Sequence, residues 1–493
     1  MKAKKTLIWL LALCLFVASF SACGNQNKTP DGAEQTTDAP IDKTPIEIED
    51  EGIDFWVQNN AGFDSAVEGS VDDFETKIEN GSVTILSYKG TQEHLIIPST
   101  IDGLPVTAIG DGAFAVVEKE LPEDTDEDTE EKAPPLQLKT LIIPESIEKI
   151  GTGILAGCKT LQSLETPLLG TNKESKQYLG YLFGATRHED NANRSFVPAS
   201  LICLRISGEW EVLPAYTLFD CNDLICLSLP ETLKKIEKYA LFDCASLKQI
   251  DGLERITTFG ERALMNCSEL QIVTLGNALE TVAFGTFEGC ASIRAITLPF
   301  VGSTREENTY LAYIFGAAQP DFAKGFYPKK LARVTLNDVC QTLGNYAFFE
   351  CESLKEITLP EGLTSIGVRA FYGCTSLWSI KLPNTLITIR ELAFANCDAL
   401  TTIDFGQGLT SIGINAFYNC DSLAEVILPA TLKSLPASCF AGCISLTKVD
   451  FGGVSRVGAE AFRHCNAITT ATASQKVDFG KGNDHVKSVL YPE

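Results

Sequence analysis

The sequence predicts an α/β solenoid in which coils of about 23 residues stack along one axis, each with a short parallel strand and a short helical corner. Two observations lead to this fold class. Cysteines recur every 23 residues in two runs, from Cys221 to Cys290 and from Cys351 to Cys443, and apolar residues keep a constant phase around each of them. A unit of this size cannot bury its own apolar face, so neighbouring coils must share one continuous core.

The coil that contains Cys374 shows how each element is predicted. The run from Leu354 to Leu359 alternates near its end and stops at Pro360, as expected of a short strand. After a second apolar pair, Phe371, Cys374 and Leu377 follow at intervals of three, which predicts about one helical turn at the corner. About 15 strand positions of this kind can be counted along the chain.

The recurring cysteines are consistent with a metal site, a disulfide framework or a buried wall. Metal ligands form close clusters with partner histidines, whereas these cysteines occur once per coil in a chain with four histidines. Stacked equivalents should lie ~4.8 Å apart, while the Cβ atoms of a disulfide lie roughly 3.5 to 4.5 Å apart. We therefore predict a ladder of buried thiols without metal or cofactor. The ladder comprises Cys158, Cys221, Cys244, Cys267, Cys290, Cys351, Cys374, Cys397, Cys420, Cys443 and Cys465, with Cys340 and Cys439 also expected in the core.

One cysteine pair differs from the ladder. Cys203 and Cys226 are 23 residues apart but align with the outward strand position held elsewhere by Arg333 and Glu356. We expect them to be exposed neighbours on adjacent strands, either as two free thiols or as a disulfide.

The first residues predict export. Residues 1–22 read as a signal peptide, with lysines before an apolar run too short to span a bilayer. The string "FSACGN" resembles a bacterial lipobox, which implies lipid attachment at Cys23 and a location on the extracellular face of the membrane; ordinary cleavage and release is the alternative. Residues 23–45 are polar and are expected to form a disordered tether.

The rest of the chain is predicted to be one elongated domain. An N-terminal cap would span residues 46–90, the solenoid residues 91–468 and a C-terminal cap residues 469–493. The segment 118–135 interrupts the solenoid with nine acidic residues against two lysines. A solvated loop is the simpler interpretation, and calcium binding through the carboxylates is the alternative.

Two further interruptions, residues 166–199 and 299–329, resemble each other and predict homologous insertions. Each contains apolar and tyrosine residues at helical spacing, which fits a helix packed on the flank of the solenoid. The alternative is a recognition surface, because insertions in solenoids often lie on the binding face. The candidate binding residues are Tyr178, Tyr181, Tyr310 and Tyr313, together with Trp378 on the outward strand face.

Composition and motifs argue against several functions. A formal net charge of -24 disfavours nucleic acid and anionic lipid as main partners. The sequence has no nucleophile elbow, HExxH motif or phosphate loop, and its inward positions are uniformly apolar, so we do not expect an enzyme. Membrane contact is expected through the lipid anchor only.

The repeat "ITLPEGLTSIGVRAFYGCTSL" and the entry unit "SVTILSYKGTQEHLIIPSTIDGLPVTAIGDGAF" resemble the BspA-like leucine-rich repeats of bacterial surface proteins. The resemblance covers most of the chain after the tether. It implies a cell-surface protein that binds an extracellular protein, such as a host matrix or cell-surface component, in the manner of an adhesin. A structural envelope scaffold without a dedicated ligand is the alternative.

Overall fold

The computed structural model of this protein describes residues 62–116, 136–307 and 309–491. The predictions for the signal peptide, Cys23, the tether, the first part of the N-terminal cap and the acidic loop 118–135 lie outside these residues.

The secondary structure consists mainly of very short strands. The strands are β1 Val67–Glu68, β2 Phe74–Glu79, β3 Ser82–Tyr88, β4 His94–Ile96, β5 Thr100–Ile101, β6 Leu104–Ile109, β7 Thr140–Ile142, β8 Lys149–Ile150, β9 Ser163–Thr166, β10 Cys203–Ile206, β11 Val212–Leu213, β12 Cys226–Ser228, β13 Lys235–Ile236, β14 Gln249–Asp251, β15 Thr258–Phe259, β16 Ile272–Thr274, β17 Thr281–Val282, β18 Ala295–Leu298, β19 Arg333–Leu336, β20 Thr342–Leu343, β21 Glu356–Thr358, β22 Ser365–Ile366, β23 Ser379–Lys381, β24 Thr388–Ile389, β25 Thr402–Asp404, β26 Ser411–Ile412, β27 Glu425–Ile427, β28 Ser434–Leu435, β29 Lys448–Asp450, β30 Arg456–Val457, β31 Thr470–Thr472 and β32 Asp478–Phe479. Short 3₁₀ helices span Val71–Asp73, Leu179–Phe183, His188–Asp190, Leu253–Arg255, Leu311–Phe315 and Pro320–Gly325, and the α-helix α1 spans Asp484–Leu490.

The strands form two parallel rows, which confirms the solenoid. The long-strand row runs through β1, β4, β7, β9, β10, β12, β14, β16, β18, β19, β21, β23, β25, β27, β29 and β31. Equivalent residues of successive coils pair in register, as Val334 does with Ile357. The second row contains the two-residue strands, in which Ile366 pairs with Ile389. Strand pairing therefore follows the sequence repeat coil by coil.

The corner of each coil is a series of turns, and the prediction of a helical turn there is wrong. In the coil that contains Cys374, the amide of Tyr372 donates to the carbonyl of Arg369 at 3.2 Å, and that of Cys374 to Phe371 at 3.1 Å. The amides of Phe371 and Gly373 donate instead to the next coil, at 2.7 and 2.9 Å. Because successive amides alternate between their own coil and its neighbour, no continuous helical ladder forms.

Phenylalanine rings and thiols fill the inside of the corners. The rings of Phe371 and Phe394 stack with centroids 4.9 Å apart and planes 7° apart. The thiol of Cys397 donates to the carbonyl oxygen of Phe371 at 3.2 Å. All eleven cysteines of the predicted ladder are buried free thiols, and so are Cys340 and Cys439, which confirms the buried wall.

The two segments predicted as insertions are long coils of the solenoid itself, and the prediction of a helix on its flank is wrong. In the first long coil, residues 163–202, the 3₁₀ helix Leu179–Phe183 takes the place of a corner. The amide of Leu155 in the preceding coil donates to Leu182 at 2.8 Å, and the amide of Leu179 donates to Thr217 in the following coil at 3.1 Å. In the second long coil, residues 295–332, the 3₁₀ helix Leu311–Phe315 does the same.

The ends of the described chain depart from the repeat. At the N-terminal end, β2 and β3 form an antiparallel hairpin, and β3 pairs in parallel with β6. Ahead of the hairpin, β1 pairs with β4 at the start of the long-strand row. At the C-terminal end, α1 buries Val486 against the last coils.

Candidate functional site

Two of the four candidate tyrosines are buried parts of the long coils. Tyr178 and Tyr310 are only 9% and 7% exposed. The Tyr178 hydroxyl donates to the carbonyl of Ala185 at 3.1 Å, and the Tyr310 hydroxyl to Ala317 at 3.2 Å. Burial raises the pKa of both phenols. These side chains close the long coils, so the prediction that they form an exposed recognition surface is wrong.

The other two tyrosines are half-buried, and their surroundings differ. The Tyr181 hydroxyl donates to the carbonyl of Ile150 at 3.2 Å and lies 2.7 Å from the Thr171 hydroxyl. The Tyr313 ring meets the edge of Phe284 with centroids 5.5 Å apart. Burial, together with the negative charges of Glu261 and Glu307, raises the pKa of Tyr313. Tyr313 therefore belongs to a larger aromatic surface.

That surface is a line of half-buried side chains along the corners between the two long coils. It begins in the tail of the first long coil, where the His188 ring lies 4.5 Å from the Tyr216 ring. The ring of Tyr216 stacks on that of Tyr239 in the next coil, with centroids 5.6 Å apart. The Arg262 guanidinium, one coil further, lies 5.3 Å from the centroid of Phe284. We call His188, Tyr216, Tyr239, Arg262, Phe284 and Tyr313 the corner ridge.

A second group of the same kind follows the second long coil. The Arg369 guanidinium lies 5.9 Å from the ring of Tyr346 in the preceding corner and 5.8 Å from the ring of Tyr372 in its own corner. The Tyr372 ring also stacks on Phe349 at 5.2 Å. In the preceding tail, Phe322 is 63% exposed. We call Tyr346, Arg369 and Tyr372 the second ridge.

The backbone beneath these side chains is strained. Tyr216, Tyr239 and Arg262 have φ angles of 66°, 57° and 50°, in the left-handed region that bulky residues rarely adopt. Glycine occupies the same place in the coil at Gly285 and asparagine at Asn415. A residue with a Cβ is less stable than glycine in this backbone conformation by about 1–2 kcal/mol. Leu392 and Ser438 have the same left-handed backbone at this place in later coils, so the strain belongs to the corner geometry, and the ridge residues occupy it at a cost to the fold.

Carboxylates border the corner ridge. Arg262 contacts Glu288 at 2.9 Å and Glu261 at 2.8 Å. Asp220 and Asp243 follow the two stacked tyrosines, and burial, with the neighbouring charge of Asp243, raises the pKa of Asp220. The ridge thus combines aromatic faces and edges with negative charge, which suits a partner that presents basic and apolar side chains.

The outward face of the long-strand row carries cross-strand ion pairs. Glu165 contacts Arg205 at 2.9 Å, and Arg333 contacts Glu356 at 3.0 Å. Exposed pairs of this type contribute roughly 0–1 kcal/mol each. Trp378, the residue before β23, is half-buried. Within the part of the chain that the structure describes, no ring contact joins it to a second aromatic side chain.

Cys203 and Cys226 pair in register on β10 and β12, and their sulfur atoms are 1.99 Å apart. The prediction that they are exposed is wrong. Phe63, from the segment ahead of β1, packs on both cysteines and buries them. The Arg205 guanidinium lies 4.1 Å above the same phenylalanine ring. The chain therefore covers its own strand face at these coils.

The described ranges contain no cluster of three or more histidine, cysteine, aspartate or glutamate side chains arranged to hold a metal ion. No helix in those same ranges has both the length and the apolarity that a bilayer span requires.

Sequence reasoning missed the ridges, although a signal was present. The strings "YTLFDC", "YALFDC" and "YAFFEC" place a tyrosine five residues before the corner cysteine in three coils, at Tyr216, Tyr239 and Tyr346. The period alone identifies the inward residues of the corner. It does not show that the residue at this position points outward from a left-handed backbone.

The chain belongs to the leucine-rich repeat proteins of the BspA type. The family described as BspA type leucine rich repeat region matches residues 133–178, 192–310, 323–413 and 364–481. Comparison with curated proteins finds no match.

Solved structures of similar chains share low sequence identity with this one. A leucine-rich repeat protein from Bacteroides ovatus is 17% identical, covering 84% of this chain and 99% of its own, with a TM-score of 0.32. A leucine rich cell surface protein from Faecalibacterium prausnitzii is 19% identical, covering 85% and 97%, with a TM-score of 0.26. The pneumococcal vaccine antigen PcpA is 18% identical, covering 83% and 96%, with a TM-score of 0.27.

Proposed function

We propose that this protein is a non-catalytic cell-surface receptor that binds an extracellular protein, such as a host matrix or cell-surface component, in the manner of an adhesin. Lipid attachment at Cys23 would hold it on the extracellular face of the bacterial membrane. Membership of the BspA type family supports a protein-binding role, because solenoids of leucine-rich repeats present extended surfaces to protein partners.

The observation that carries the proposal is the composition and setting of the corner ridge. Tyrosine, tryptophan and arginine dominate the residues whose loss most weakens protein interfaces. The ridge stacks Tyr216 on Tyr239 and places Arg262 beside them, all half-buried and all on strained backbone. Half-buried rings are already held in place, so binding would cost little side-chain entropy.

The test is binding of the mature chain to immobilised matrix proteins, host-cell surfaces, glycans and peptidoglycan. The ridge variant would carry Tyr216→Ser and Tyr239→Ser, and the matched control Lys381→Ser and Lys448→Ser on the strand face. We expect the native chain and the control to bind a matrix or cell-surface protein, and the ridge variant to lose about tenfold or more in affinity, which is 1.4 kcal/mol or more. Circular dichroism and the thermal midpoint would verify that each variant is folded.

Two outcomes would contradict the proposal. If the ridge variant bound as tightly as the native chain, the ridge would not be the recognition surface. If the native chain bound none of the protein probes, a structural envelope scaffold would be the better account.

A further inference from the structure

We propose that the second ridge binds a carboxylate, namely an aspartate or glutamate side chain flanked by apolar residues in an acidic segment of a protein partner. Arg369 is the residue that donates to it. The site is separate from the corner ridge, which suits a partner segment of the opposite charge.

Arg369 and Arg262 occupy the same position of the corner in different coils. The strings "GERALMNC" and "GVRAFYGC" place both arginines five residues before a cysteine of the ladder. Arg262 contacts Glu261, the residue before it, at 2.8 Å and Glu288 of the next coil at 2.9 Å. Two carboxylates of the fold therefore neutralise the Arg262 guanidinium.

The two partners of Arg262 have no acidic counterpart around Arg369. The residue before Arg369 is Val368, and the buried Ala395 takes the place of Glu288 in the next coil. Among the described residues, no carboxylate lies within ion-pair distance of the Arg369 guanidinium. The charge of Arg369 is therefore available to a ligand.

The charged residues that border the site largely balance one another. Arg390 and Glu391, exposed at the start of the next corner, carry one charge of each sign. Glu352 contacts Lys324 at 2.7 Å. This bond, and to a smaller extent the negative charge of Glu350, raises the pKa of Lys324. The surroundings of the site thus carry little net charge, unlike the acidic chain as a whole.

An aromatic frame holds the Arg369 guanidinium in place. Its distances to the ring centroids of Tyr346 and Tyr372 are 5.9 and 5.8 Å. The Tyr372 ring stacks on Phe349 at 5.2 Å, and the Tyr346 ring meets Phe349 edge-on at 5.4 Å. Because Phe349 is only 7% exposed, both tyrosines rest on a buried ring. Attraction to the two tyrosine rings orients the arginine before binding and reduces the entropy that binding would cost.

The chemistry of the site favours one carboxylate with apolar neighbours. A planar guanidinium can donate two parallel hydrogen bonds to a carboxylate. Two coils further along, the positions of Val368 and Tyr372 are held by Ile414 and Tyr418, which are 48% and 40% exposed and can contact apolar side chains. A sulfated glycan carries many negative charges, which the net charge of -24 would repel. An acidic peptide segment is therefore the favoured ligand.

The first experiment is a saturation-transfer NMR titration of the mature chain with acetyl-Gly-Phe-Glu-Phe-Gly-amide and with its neutral counterpart, which has glutamine in place of glutamate. We expect the acidic peptide to bind at least ~10-fold more tightly, because a hydrogen bond to a charged group is the stronger kind. Arg369→Gln should abolish this difference. The matched control Arg456→Gln, which removes an exposed arginine from the second row of strands, should keep it.

Circular dichroism and the thermal midpoint would verify that each variant is folded. Arg369→Lys keeps the charge but loses the planar fork, so it should retain only part of the preference for the acidic peptide. Equal binding of the two peptides to the native chain, or a preference that survives Arg369→Gln, would overturn the proposal. Binding of a sulfated disaccharide that depends on Arg369, without binding of the acidic peptide, would overturn it in favour of a sulfated glycan.

The second experiment follows the modification of arginine side chains by phenylglyoxal, mapped to single residues by mass spectrometry. With the acidic peptide at ten times its dissociation constant, modification of Arg369 should be about 10-fold slower, because a ligand protects its site in proportion to occupancy. Arg456 should react at the same rate with and without the peptide. Equal slowing at the two arginines, or no slowing at Arg369, would contradict binding at the second ridge.

Discussion

The thiol of Cys374 donates to the carbonyl oxygen of Phe348 across 3.2 Å, and the same contact recurs one coil later between Cys397 and Phe371. Each thiol thus bonds to the backbone of the preceding coil from a fully buried slot. A small apolar side chain with a weak donor fills this slot. The cysteine repeat is therefore explained by packing and hydrogen bonding within the stack.

The buried thiols predict a loss of stability at alkaline pH. Burial raises the pKa of Cys351 to about 12 and that of Cys340 to about 11. Between about pH 9 and these values, the unfolded state releases protons that the folded state keeps. The free energy of unfolding should then fall by roughly 1.4 kcal/mol per pH unit for each such thiol.

Urea unfolding at pH 8 and pH 10 under nitrogen would measure this slope. The variant Cys351→Ala removes one titrating thiol, so its loss of unfolding free energy between these two pH values should be smaller by about 1.4 kcal/mol in total, because the unfolded thiol titrates near pH 9. Identical slopes for the variant and the native chain would mean that this thiol does not contribute as described.

Phe63 is predicted to protect the disulfide between Cys203 and Cys226. Phe63→Ala removes the ring that covers both sulfur atoms, so reduction by dithiothreitol in the native state should be at least ~10-fold faster, because access controls thiol exchange. Phe322→Ala, on the exposed tail of the second long coil, is the matched control and should leave the rate unchanged. The reduction rate is followed by alkylating the released thiols at intervals and measuring the mass of the protein by mass spectrometry.

The buried tyrosines are predicted to stabilise the long coils. Tyr178→Phe and Tyr310→Phe each remove one hydrogen bond from a buried hydroxyl to a main-chain carbonyl. We expect each variant to lose about 1–2 kcal/mol of unfolding free energy in urea, without weakening ligand binding. Tyr418→Phe, where the ring is 40% exposed, serves as the control. A binding defect with unchanged stability would restore these tyrosines as recognition residues.

The phenylalanine column is predicted to hold neighbouring coils together. Phe394 is fully buried between Phe371 and Phe417, with centroids 4.9 and 5.2 Å away. Phe394→Ala should cost about 3–5 kcal/mol. Because each coil contacts only its neighbours, hydrogen exchange should increase mainly in the coils beside the substitution. A uniform increase along the chain would show that the solenoid unfolds as one unit.

The sequence repeat predicted the buried positions that recur in every coil. Cys397 and Phe394 recur with each coil because every coil buries the same side of the corner. The helical corner was wrong because a spacing of three also arises from isolated turns whose intervening amides bond to the next coil. The contact by which Phe63 buries Cys203 was missed because it is made once, between residues 140 positions apart, and therefore produces no repeat in the sequence. Tyr178 looked exposed because its long coil was read as an insertion.

The two long coils place two similar segments along the axis of the solenoid. Their strands, β9 and β18, are five spacings apart in the row, which is about 24 Å. A partner with two equal motifs at this separation would contact both long coils at once. The second contact would then form within the complex, at a high effective concentration, and weak individual sites would yield strong avidity.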